Sequence, residues 1–144
     1  MAIADLSSVL KIFSETVPDE EEQKELYAEV LLMTLARASS ADANIDPVEI
    51  STIQQIMRRE TSEEITEKDV RRAARTELYE TETLRKYLRR VRHILHSEDR
   101  RKVVEALAEV IKSDTQISVL EIDFFNRVAD ALRITPAELA GLHG

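Results

Sequence analysis

The 144-residue sequence predicts an all-α fold, a single globular domain spanning 1–144 and built from about seven or eight helices. Three observations carry that prediction. A six-residue phrase occurs three times, at Ile45 to Ile50, Ile117 to Ile122 and Ile134 to Leu139. Each copy reads as a helix start: Asp46, Ser118 or Thr135 at N-cap, Glu49, Glu121 or Glu138 three residues on to complete a capping box, and apolar residues flanking both for a hydrophobic staple. Pro47 and Pro136 fall on the first helical position, where the missing N–H costs nothing. Second, both glycines, Gly141 and Gly144, lie at the extreme C-terminus, and β-branched runs with alternating polarity are absent. Third, the chain repeats itself. Leu31 to Met57 aligns with Val103 to Ala129, so that Leu35 meets Leu107, Asp42 meets Asp114, Glu49 meets Glu121 and Ile56 meets Val128. The repeated unit is helix, acidic turn, capped helix. Two copies are too few for a solenoid, which leaves an internal pair of related helical hairpins.

Taken in order, residues 4–15 place Leu6, Val9, Leu10 and Phe13 on one helical stripe. Pro18 precedes a second helix, whose first turn carries Asp19 to Glu22 where the macrodipole favours acids. That helix runs through Leu26, Val30, Met33 and Leu35 to about Ser40. A third starts after Asp46 and continues through Ile50, Ile53 and Met57 to the polar stretch at Thr61 and Ser62. Thr66 and Asp69 have capping-box spacing ahead of Val70, Ala73, Ala74 and Leu78. Tyr79 to Leu95 reads as a further helix with Leu84, Tyr87, Leu88, Val91 and Leu95 inward. Ser97 caps a helix through Val103, Leu107 and Ile111, and the second and third phrases open the last two.

Composition excludes several functions. With no cysteine there is no disulfide, thiolate metal site or cysteine nucleophile. No apolar stretch approaches the length of a membrane span, and the N-terminus has no signal-peptide pattern, so a soluble cytoplasmic protein of bacterial type is expected. The formal net charge is −8, with three Lys/Arg against eleven Asp/Glu in residues 1–50 and twelve against six in residues 68–102. An acidic whole argues against general nucleic-acid binding, while the basic middle offers a local patch to an acidic partner. Arg85, Lys86, Arg89, Arg90 and Arg92 lack the aromatic interleaving of a single-strand binder and any helix-turn-helix pattern, so no specific nucleic-acid binding is expected. His93 and His96 lack the usual spacings of a helical metal site and read as surface residues near a helix end. No nucleophile-and-base pair, phosphate-cradling loop or cofactor fingerprint is present, and the chain reads as a non-enzyme.

Capping accounts for Asp46, Glu49, Ser118 and Glu121. It does not account for Asp42 and Asp114, each of which follows a helix end and faces the negative pole of its dipole. Two offsets are open. In an Asx-turn, Asp42 accepts from the Asn44 N–H and Asp114 from the Gln116 N–H. Alternatively a hard cation is held by the carboxylates and the free carbonyls of the helix end. Asp42, Asn44 and Asp46 do have the opening of a calcium loop, yet Pro47 and Ile53 occupy the positions that need glycine and a bidentate glutamate, so this is not an EF-hand. Gln116 and Ser118 make the second turn the weaker of the two.

Residues 41–49 and 113–121, with Phe124, Phe125, Val128, Leu132 and Ile134 to Glu138, resemble the TerB-like tellurite-resistance family over about Glu25 to Leu142. The helix at 4–15 is then a family-variable addition. The resemblance implies an all-helical domain, an acidic surface holding divalent metal, and a part in stress-response assemblies. Its motif acids are Asp42 and Glu49 in one copy and Asp114 and Glu121 in the other. With Asp46 from the calcium-like turn, these form the candidate metal set. The expected cofactor is thus a divalent cation (calcium, magnesium or zinc), the expected partner a protein, and the alternative a metal-independent scaffold that docks through charge asymmetry.

Overall fold

Every residue from Leu26 to Ala36 is buried, so the helix that carries them is wrapped on all sides and becomes the axis of the fold. A helix apolar around most of its circumference belongs in an interior. The computed structural model describes residues 19–39, 47–75, 84–113, 117–140 and 142. Among these it has seven helices and no strand: α1 Glu20–Ser39, α2 Pro47–Thr61, α3 Glu67–Arg75, α4 Leu84–Val91, α5 Ser97–Lys112, α6 Val119–Ala131 and α7 Pro136–Leu139. The all-α expectation holds. The helix expected at 4–15 lies outside the described residues.

α1 packs most extensively on α5, then on α2 and α3, and also touches α4 and α6. The two hairpins read from the repeat are present as α1–α2 and α5–α6, and their first helices lie against each other. Leu35 and Leu107, equivalent in the repeat, are both fully buried in the continuous core. Ile50, Ile53, Ile56 and Met57 bury the inner face of α2, and Val103, Val104, Leu107, Val110 and Ile111 that of α5.

Helix starts follow the predicted chemistry. Ser118 Oγ accepts from the Glu121 N–H at 3.1 Å while Glu121 Oε1 accepts from the Ser118 N–H at 3.0 Å. Thr135 and Glu138 exchange the same pair at 3.2 and 3.3 Å, and Thr66 and Asp69 at 3.1 and 3.0 Å. A fourth box, unread in the sequence, opens α1: Asp19 Oδ1 accepts from the Glu22 N–H at 2.8 Å and Glu22 Oε1 from the Asp19 N–H at 3.1 Å. Ser118→Ala should therefore lower the unfolding free energy by ~1 kcal/mol, measured as a shifted urea midpoint. An unmoved midpoint would show that this cap is not made.

Three local expectations are corrected. The helix expected to reach Leu95 ends at Val91, where Ile94 N and Leu95 N both donate to the Val91 carbonyl. The buried Gln23 holds this turn from α1: its Nε2 donates to the Ile94 carbonyl at 2.7 Å and its Oε1 accepts from the His96 N–H at 3.3 Å. Two backbone groups left over by the turn are thus satisfied without a further helical turn. The N-cap of α5 is His96, which makes no side-chain cap bond, and Ser97 is already helical. At α6 the staple residues Ile117 and Ile122 stay about half exposed, whereas Ile134 ahead of α7 is buried.

α6 ends in a Schellman motif, with Arg133 N donating to the Asp130 carbonyl and Ile134 N to the Ala129 carbonyl. Arg133 takes φ 57°, a left-handed conformation in which glycine would be unstrained.

Candidate functional site

The phrase that opens α2 and α6 puts one glutamate of each repeat at the same helical position, the third residue of the helix. Glu49 and Glu121 are each only 4 % exposed. A carboxyl there gains from the unsatisfied N–H groups of the first turn, yet it loses solvent, and burial of a carboxylate is expensive unless its oxygens are matched. At Glu121 the match is half complete. Oε1 takes the Ser118 N–H at 3.0 Å, while Oε2 is buried and, among the described residues, has no hydrogen-bond partner.

Of the five candidate acids, only Glu49 and Glu121 belong to the described residues. Asp42, Asp46 and Asp114 lie outside them. Among the described residues no group of three or more His, Cys, Asp or Glu could hold a metal. His93 and His96 are both exposed.

Around these carboxylates the surface is unexpectedly apolar. Val119 is 81 % exposed, and Leu120, Ile117, Ile122 and, in the first copy, Val48 are each about half exposed. In the sequence Ile117 and Ile122 read as a hydrophobic staple; in the structure α6 turns Val128 and Ala131 inward. Nearby, a small cleft of about 290 Å³ is lined by Arg37, Leu84, Leu120, Asp123, Phe124 and Arg127, and burial holds the pKa of Arg37 below its ordinary value. Sequence reasoning also missed Glu29, a lone acid within the buried run of α1, which accepts from the Tyr87 hydroxyl at 2.5 Å.

No helix among the described residues is long and apolar enough to cross a membrane. A family model described as tellurite resistance protein TerB matches residues 28–143. That span runs from within α1 past the end of α7 and contains both repeat turns. No curated protein and no solved structure matches the chain.

Proposed function

This chain belongs to the TerB family of tellurite resistance proteins, and from that premise we propose a non-catalytic binding module that responds to a divalent cation and serves tellurite or metal stress. The observation that carries this reading is the half-matched Glu121 carboxyl, with one oxygen spent on the cap and the other buried without a donor. Such an oxygen fits a cation ligand better than a purely structural acid, which needs only the cap. The residues that would hold the ion are Asp42, Asp46 and Glu49 in the first turn and Asp114 and Glu121 in the second. This all-oxygen set suits a hard cation, calcium or magnesium, ahead of zinc, which favours nitrogen and sulfur. The ion would supply positive charge among these carboxylates.

Titration of wild type, Asp42→Asn, Asp114→Asn and Glu121→Gln with calcium, magnesium and zinc, each followed by thermal melts, tests the reading. Metal should raise the wild-type melting temperature, by the equivalent of ~2.7 kcal/mol at a hundredfold excess over Kd. Asp42→Asn should weaken binding at least ~10-fold because it keeps the turn-forming oxygen and loses the charge. Asp114→Asn should matter less, and Glu121→Gln should raise the stability of the metal-free protein. Wild type that shows no shift at millimolar metal would eliminate the cation.

The second reading, a metal-independent scaffold for a protein partner, is supported by exposed Val119, Leu120 and Ile122 and by the acidic first third set against the basic middle. Clustered exposed apolar residues at a polar rim are the usual signature of a protein contact.

A further inference from the structure

A cleft of about 690 Å³ opens where the end of α4 meets the α6–α7 corner, and of the described repeat-turn acids neither Glu49 nor Glu121 lines it. Arg89 and Arg92 enter from the α4 side and Arg133 from the corner, while Phe125, Pro136 and Leu139 supply apolar wall. Among the described residues Asp130 is the single carboxylate of the lining, so three guanidinium groups stand against one acid there, on a chain of net charge −8. Among the described residues, Arg89, Arg92 and Arg133 make no ion pair and no side-chain hydrogen bond. Arg92 Nε is buried with no acceptor. Other arginines of this protein do find carboxylates, Arg59 pairing with both Glu60 and Glu109. Buried donors are nearly always satisfied in folded proteins, so an unmatched Nε in a concave, positively charged site points to an acceptor from outside the chain. Arg133 adds a backbone cost, because its φ of 57° places a large side chain where glycine would be unstrained.

We propose that this cleft binds an organic phosphate, with the phosphoryl oxygens on the arginines and a planar ring against Phe125 and Pro136. The planar fork of arginine matches phosphate oxygens two at a time, and the volume lies in the range of small-molecule sites. A lone inorganic ion would leave the apolar wall without a partner. Asn126 and Asp130, both in the lining, provide amide and carboxyl groups for ring nitrogens or sugar hydroxyls.

The probes are adenosine monophosphate and ribose 5-phosphate, which share the phosphate and differ by the ring, titrated calorimetrically into the full chain near physiological salt. Adenosine monophosphate should bind saturably and ribose 5-phosphate ~10-fold more weakly, since ring stacking on an aromatic side chain is lost. Arg89→Ala and Arg133→Gly should each weaken adenosine monophosphate ~10-fold. Glycine at 133 relieves the left-handed backbone and keeps the corner folded, and a thermal melt verifies that. Arg71→Ala, in an exposed pair with Glu67 on α3, should leave affinity unchanged. The proposal is overturned if folded wild type shows no saturable binding at about 5 mM probe, if both cleft variants bind like wild type, or if ribose 5-phosphate binds as tightly as the nucleotide.

Discussion

Replacing Leu107 by alanine should lower the unfolding free energy by about 2–5 kcal/mol, and Leu35→Ala by a similar amount. Both side chains are fully buried, they occupy equivalent positions of the repeat, and they sit on α1 and α5, the most extensively packed pair of helices. Truncation removes the transfer free energy of the lost carbons and leaves a cavity that α1 cannot close without disturbing its other neighbours. A loss of that size corresponds to roughly 5–15 °C in melting temperature for a chain of this length. Urea denaturation with unchanged far-ultraviolet dichroism in buffer is the measurement. A cost under about 1 kcal/mol at both sites would mean that the α1–α5 contact is not the tightly packed centre of the fold.

That central contact was only partly legible in the residues. The repeat announced two hairpins because Leu35 and Leu107, Glu49 and Glu121, and Ile56 and Val128 keep their spacing across both copies. Helix starts were legible for a local reason, since a capping box is written within four residues and needs no tertiary information. The depth of α1 was not. Its Leu26, Val30, Met33 and Leu35 fit a one-sided stripe, and only the unbroken burial from Leu26 to Ala36 reveals that the remaining faces are covered as well. The end of α4 was equally hidden, because the turn at 92–95 is held by Gln23, 71 residues away from Ile94. No local pattern encodes such a bond.

The candidate sites divide in the same way. Glu49 and Glu121 could be placed at the third position of their helices from spacing alone, and the structure puts them there. Their burial could not be foreseen, because a glutamate in a capping box is ordinarily half in solvent. The basic run from Arg85 to Arg92 splits by environment: Arg85, Arg89 and Arg90 are exposed, while Arg92 tucks its Nε inward. The cleft that Arg92 lines needs Arg133 and Phe125 from α6 and its corner, residues distant in sequence whose convergence depends on how α6 lies on α4.

Tyr87→Phe should destabilise the protein by about 1–3 kcal/mol, although it removes a single oxygen. The Tyr87 hydroxyl donates to Glu29 Oε1, and both residues are buried, Glu29 at 1 % exposure and Tyr87 at none. Phenylalanine preserves the ring packing, so the cost isolates what happens when a carboxyl in an apolar interior loses that donor. Tyr27→Phe supplies the comparison. Tyr27 donates to Glu60 at 3.3 Å, and burial, followed by the nearby Glu60 charge, pushes its phenol pKa up. Glu60, however, keeps Arg59 at 2.9 Å and a quarter of its side-chain surface in solvent, so water and the guanidinium take over when the phenol is gone. The expected cost there is under about 1 kcal/mol. Paired urea titrations of the two variants give the contrast directly, and equal losses at both tyrosines would mean that the depth of Glu29 in α1 does not set the penalty.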